Sequence, residues 1–124
     1  QAVKDVDASL ILYGLAGSKL IDAARAIGLA AASEVFADRS YQDDGSLTPR
    51  TRAGAMIEDL DRAVEQVLGM VREGKVRSID GRDVPVQADT LCIHGDQPNA
   101  LLFANGIRRA LEQAGIEVRT PARV

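Results

Sequence analysis

The sequence predicts an α/β domain built on a parallel sheet. Near-continuous apolar runs of strand length stand at residues 9–14 and 30–36. Stretches with helical periodicity lie between and after them, and glycines stand where those helices must stop. At 124 residues the chain is one domain in size, and 46% hydrophobic with 27% charged residues is an ordinary globular composition. Aromatic residues are only 3% and tryptophan is absent, so the core must be layered from Ala, Val, Leu and Ile.

The elements follow in order. Gln1 to Val6 reads as the end of a helix, and the chain opens on glutamine, so further chain is expected upstream. Ser9 to Gly14 reads as a strand buried on both faces. Ser18 then caps a helix carrying Leu20, Ile21, Ala24 and Ile27 on one side, which Gly28 ends. A second strand, Ala30 to Phe36, completes a βαβ unit. Residues 37–50 form a long polar loop, and loops of about 14 residues in compact domains tend to be functional. Ala53, Met56, Ile57, Leu60, Ala63, Val64, Val67, Leu68 and Val71 make one stripe, predicting a long helix that Gly74 stops. Lys75 to Val86 reads as a hairpin turned at Asp80-Gly81. Asp89 to Ile93 is a third parallel strand, and Ala100, Phe103, Ala104, Ile107, Ala110, Leu111 and Ala114 line the last helix. Gly115 and a short final strand, Ile116 to Val118, close the order. Four parallel strands with three helices make either a small open sheet or half of a closed barrel.

Charge and cysteine usage exclude several classes. A net charge of −3 without a run of like charge leaves no footprint for nucleic acid or an anionic membrane surface. No uninterrupted apolar stretch approaches the roughly 20 residues of a membrane span. Cys92 is the only cysteine, so an internal disulfide and a cysteine-cluster zinc site are excluded, and a reducing cytoplasmic setting is expected.

In parallel α/β folds the reactive groups gather past the C-terminal ends of the strands. The unusual polar residues of this sequence fall there: Glu34, Asp38, Arg39 and Tyr41 after the second strand, His94 and Asp96 after the third. His94, the only histidine, suits proton transfer near neutral pH, with Asp96 two residues on to orient it; its structural alternative is a rim histidine bonded to a backbone carbonyl. Glu34 lies in an otherwise apolar strand, where it is either a catalytic carboxylate or half of an ion pair with Arg39, Arg50 or Arg52. Arg39 could hold a carboxylate or phosphate bidentately, or cross-link its own loop. Arg50 and Arg52 precede the predicted long helix, a modest hint of an anion there and otherwise a solvated surface. Gly17-Ser18-Lys19 lacks the spacing of a phosphate loop. Cys92 reads as a buried structural thiol.

Several of these stretches resemble the LamB/YcsF family: Ser9 to Ser18, Glu34-Val35-Phe36-Ala37-Asp38-Arg39-Ser40-Tyr41, Asp44-Gly45-Ser46-Leu47, Arg50, and Ala88 to Asp96 ending in Cys92-Ile93-His94-Gly95-Asp96. The likeness spans nearly all of the chain. It implies an incomplete parallel (β/α) barrel of the glycoside hydrolase/deacetylase type, with residues 1–124 as the C-terminal half of that single domain. The implied activity is that of one component of an ATP-dependent 5-oxoprolinase, which opens the lactam of 5-oxoproline to glutamate in a complex with two further subunits. ATP would be the co-substrate, and no metal ligand set is expected from this segment, although a divalent metal stays open. By the same resemblance Glu34, Asp38, Arg39, Tyr41, His94 and Asp96 belong to the pocket: His94 with Asp96 as the proton-transfer pair, Glu34 as second acid or base, Arg39 and Arg50 toward anions. The alternatives are a metal-dependent amidohydrolase or deacetylase without ATP, and a non-catalytic ligand-binding subunit. The family's N-terminal blocks, rich in Asp, His and Gly, are absent here, so the segment alone is expected to expose sheet edges and to lack activity.

Overall fold

The computed structural model describes residues 1–121. A short helix α1 (Ala2–Val6) leads into strand β1 (Ile11–Leu15), helix α2 (Lys19–Ala26) and strand β2 (Ala30–Phe36). After a long connection come helix α3 (Leu60–Leu68), the hairpin β3 (Lys75–Arg77) and β4 (Asp83–Pro85), strand β5 (Thr90–Cys92) and helix α4 (Ala100–Gln113). β2 is the central strand of a parallel sheet of order β1-β2-β5, and β3-β4 form a separate antiparallel ribbon. The expected βαβ unit is present, and the parallel pairing brings the C-terminal ends of β2 and β5 to one rim.

α2 packs through Ile21 and Ala24 on the face of β1 that carries Gly14, where an added Cβ would lie 3.2 Å from the Ile21 side chain. α3 and α4 pack on one another through Ala63 and Val67 against Phe103, Ile107 and Leu111, and Val35 of the central strand joins the same core. Gly106 lets the two helices approach. A Cβ there would sit 2.7 Å from Leu60 Cδ2, inside van der Waals contact.

Three expectations about the elements are corrected. The long helix begins at Leu60, not near Ala53. Asp59 caps it, its side chain accepting the Arg62 N–H at 2.8 Å. Ala53, Met56 and Ile57 match the helical stripe, yet Gly54 takes φ +78 and the following residues run extended beside residues 38–40. Ser40 N–H donates to Ala55 O at 3.0 Å and Ile57 N–H to Asp38 O at 2.9 Å. Apolar spacing there serves a strand-like pairing, and tertiary hydrogen bonds outweigh the local period. At the far end the helix continues into a π-helical turn, Gly69–Glu73, and stops at Gly74 as expected. Secondly, Ile116 to Val118 is not a strand. The Ile116 N–H returns to Leu111 O at 2.9 Å to close α4, and its side chain packs on the core, so the sheet has three parallel strands among the described residues. Thirdly, Arg50 and Arg52 lie in a turn well before α3 and do not flank its N-terminus; Arg52 pairs with Asp80 of the hairpin at 2.8 Å.

The polar loop is a framework with its own hydrogen bonds. Tyr41 bridges to Leu47 and to Ser78 of the hairpin region, Gln42 N–H donates to Ser46 O at 2.8 Å, and Thr48 N–H donates to Ser40 O at 2.9 Å. Tyr41 is 1% exposed, and its hydroxyl accepts the Phe36 N–H at 2.8 Å, tying the loop back to the end of β2. Burial, ahead of all other influences, pushes the Tyr41 phenol up from 10.0 to about 12. The unfolded chain releases this proton near pH 10 and the folded chain holds it to about pH 12, so its contribution, full below pH 10, is lost across that window as pH rises. Tyr41→Phe strands the Phe36 N–H and is expected to cost about 1–3 kcal/mol at pH 7. It should also remove part of the alkaline loss of stability; denaturant titrations of both forms at pH 7, 10 and 11.5 measure the two effects.

Candidate active site

The strand ends of β2 and β5 continue side by side. Ala37 N–H donates to Cys92 O at 3.1 Å, which carries the pairing beyond the last ladder residues and sets Asp38 beside His94. The Asp38 side chain is 4% exposed, and a carboxylate so buried must be paired. His94 pairs it twice. Its backbone N–H donates to Asp38 Oδ2 at 3.1 Å, and its Nδ1 lies 3.0 and 2.9 Å from the two carboxylate oxygens. An ionised carboxylate only accepts, so Nδ1 is the nitrogen that donates to Asp38 and Nε2 is the one left facing away from it. The Phe36 ring stacks on the imidazole, with centroids 5.7 Å apart and planes 20° from parallel. Backbone, carboxylate and ring together fix the orientation of His94, while its side chain remains 23% exposed toward a cleft.

That cleft has a volume of about 180 Å³. Asp38 and His94 form one wall; Ile57, Ile93, Ala100 and Phe103 supply apolar surface; Glu58, Gln97, Pro98 and Asn99 complete the lining. Among the described residues its lining has three titratable side chains, Asp38, Glu58 and His94, and no lysine or arginine. Among the described residues no group of three or more His, Cys, Asp or Glu side chains is placed to hold a metal ion.

The other sequence-predicted residues divide into two groups. Glu34, Asp38, Arg39 and Tyr41 share one electrostatic neighbourhood, since the charges of Arg39, Glu34 and Asp38 all act on the Tyr41 hydroxyl. Glu34 sits in β2 opposite Thr90 of β5, half-buried on the face that also carries Phe36 and Cys92. Burial first, then Glu34 and Asp38, push the Cys92 thiol up, keeping it protonated and unreactive at neutral pH. Arg39 is 7% exposed and bonds the Thr48 carbonyl at 2.7 Å, so it braces the loop and does not line the cleft. Asp96 and Arg50 lie apart from the dyad. Asp96 is exposed in the turn after His94, and the carboxylate that orients the imidazole is Asp38 and not Asp96. A two-residue separation in sequence carries Asp96 past the rim, whereas the paired strand ends deliver Asp38 from 56 residues away. Arg50 is exposed and makes no ion pair among the described residues.

Sequence reasoning missed Glu58, Gln97 and Asn99. Glu58 is concealed inside a stripe that has helical spacing. Gln97-Pro98-Asn99 stands between a strand-end histidine and a helix start, which is a legible sign of a rim loop.

The whole chain, residues 1–124, matches the LamB/YcsF family. It is 71% identical over 119 residues to the A subunit of 5-oxoprolinase from Bordetella pertussis, a match covering 96% of this chain and 47% of that protein. It is 58% identical over 118 residues to the protein of the same name from Bacillus subtilis, covering 95% and 46% respectively. The crystal structure of a lactam utilization protein from Thermus thermophilus superposes with a TM-score of 0.87 at 47% identity, covering 95% of this chain and 47% of that one. The chain thus spans about half the length of the relatives it matches. Matched over its full length and retaining the strand-end blocks that meet at the cleft, the chain belongs to the LamB/YcsF family.

Proposed function

We propose that this chain is the C-terminal half of a (β/α)-barrel component of an ATP-dependent 5-oxoprolinase, acting in the cytoplasm with two partner subunits. The names of its relatives, the 5-oxoprolinase A subunits and a lactam utilization protein, support the substrate class. The single observation that carries a catalytic reading is the Asp38–His94 pair in the wall of a cleft with apolar surface beside it. Hydrolysis of a cyclic amide needs a proton acceptor for the attacking water and a donor for the departing nitrogen. A neutral imidazole with Nδ1–H held by a carboxylate and Nε2 open is arranged for both. Asp38 holds the tautomer and stabilises the imidazolium formed when Nε2 takes a proton. ATP, as co-substrate, supplies the phosphoryl group that activates the lactam carbonyl oxygen before water attacks. In this reading Glu34, on the Phe36 face of the sheet, serves as the second acid or base, while Arg39 and Tyr41 hold the Asp38 segment in place.

In the complete protein with its partner subunits, His94→Ala is expected to lower the release of glutamate and phosphate from 5-oxoproline about 10²–10⁴-fold with the fold retained. Coupled glutamate and phosphate assays with circular dichroism check this, and unchanged turnover refutes the role given to His94. The tautomer is tested separately in the 124-residue chain, where His94 is the only histidine. Nitrogen-15 NMR should show Nδ1–H in the parent chain, and Asp38→Asn should shift the ring toward a mixture of tautomers.

A further inference from the structure

We infer that Gln66 of α3 is a positioning residue for the reaction: its amide clamps the segment that carries Asp38 and so sets the contact between Asp38 and His94. This role rests on the 5-oxoprolinase reading and deepens it.

Regular parallel pairing would send the His94 N–H to the Ala37 carbonyl, because Ala37 N–H already donates to Cys92 O. The His94 N–H donates instead to Asp38 Oδ2, so the carboxylate takes the place of a backbone acceptor. The ladder ends at this rung, and the placement of Asp38 depends on contacts from outside the sheet. Ile57 N–H donates to Asp38 O at 2.9 Å, and the Tyr41 hydroxyl accepts the Phe36 N–H at 2.8 Å. Gln66 Nε2 donates to Phe36 O at 3.0 Å and to Arg39 O at 2.9 Å.

Both neighbours of the Gln66 amide are carbonyl oxygens, which only accept, so the nitrogen faces them and gives one hydrogen to each. One planar group thus fixes the spacing of the two carbonyls that bracket Ala37 and Asp38. Gln66 is half-buried in α3 beside the buried stripe of Ala63 and Val67, where an amide is unfavourable unless its hydrogens are bonded. Its bonds go to the backbone on either side of the acid and not to the dyad, so its effect on the reaction passes through Asp38. Every one of these partners belongs to this chain.

The test uses the complete protein with its partner subunits. Gln66→Met keeps the length of the side chain without donors. Gln66→Asn keeps the amide but draws it back by one methylene, and it decides the question if Gln66→Met does not fold. Gln66→Met is expected to lower kcat for 5-oxoproline about ten- to a hundredfold with KM within about threefold of the parent, and Gln66→Asn to fall between. Added to Asp38→Asn, Gln66→Met should cost less than about threefold more, because the contact it serves is already broken. A further readout needs no turnover. The Nδ1–H proton signal of His94, identified by its absence in His94→Ala, should lie downfield and exchange slowly in the parent. In both Gln66 variants it should move upfield and exchange faster. Parent-like kcat in a folded variant, or a rise in KM at unchanged kcat, would overturn the role while leaving the 5-oxoprolinase reading in place. An equal loss with and without Asp38→Asn, or lower stability with an unchanged His94 signal, would do the same. If the unaltered complex fails to turn over 5-oxoproline, the functional reading falls, and the His94 signal alone decides whether Gln66 sets the dyad.

Discussion

A carboxylate removed from water is unfavourable unless its charge is met, and Asp38 is almost wholly removed from water. Its partners are the backbone N–H and the Nδ1–H of one residue, His94, so satisfying Asp38 also orients the imidazole. The two residues belong to different strand extensions, and their pairing is possible only because β2 and β5 run parallel and end together. Stability and the orientation of the imidazole here share one set of bonds. A change that separates the strand ends strands a buried charge and releases the histidine at once.

The segment between β2 and α3 is the second support. It is polar in composition, yet Thr48 and Tyr41 within it are buried as deeply as any core side chain. Its polar groups bond inward: Ser40 Oγ to Thr48 Oγ1, Arg39 to the Thr48 carbonyl, Tyr41 to the Phe36 N–H, and Gln66 of α3 to the carbonyls of Phe36 and Arg39. Gln66 thereby clasps the chain on both sides of Asp38. The network is not complete, since the buried Arg39 Nε has no hydrogen-bond partner among the described residues, but its other bonds tie the loop to β2 and α3 on both sides of the acid. Arg39, expected at the mouth, belongs to this network and braces the acid next to it.

The strands, α2, the hairpin turn and α4 were legible because each is set by short-range physics: apolar runs, glycines able to take positive φ, and an Asp-Gly turn. The start of α3 was not. Ala53, Met56 and Ile57 repeat at helical spacing, but backbone groups of residues 55–57 find partners in residues 38–40, and no local pattern reveals which partner a backbone group will choose. The final strand failed for the complementary reason. Ile116 to Val118 has the composition of a strand, but the Ile116 N–H is consumed in closing α4, and no neighbouring strand among the described residues pairs with the segment.

Taken alone, the amino-acid sequence determined that this is a parallel α/β fold and that its unusual polar residues stand at strand ends, because burial and turn chemistry act over a few residues. It placed Asp38 and His94 among six polar rim residues, paired His94 with Asp96, and pointed to the family these blocks resemble. Only the tertiary structure decided which acid serves the imidazole. Asp96 is near in sequence but exposed beyond the rim; Asp38 is 56 residues distant and in hydrogen-bond contact. It also decided that Glu58 lines the same cleft and that Arg39 does not. Pairing between strands is a long-range choice, and the identity of a contact across it exists only once the sheet has formed.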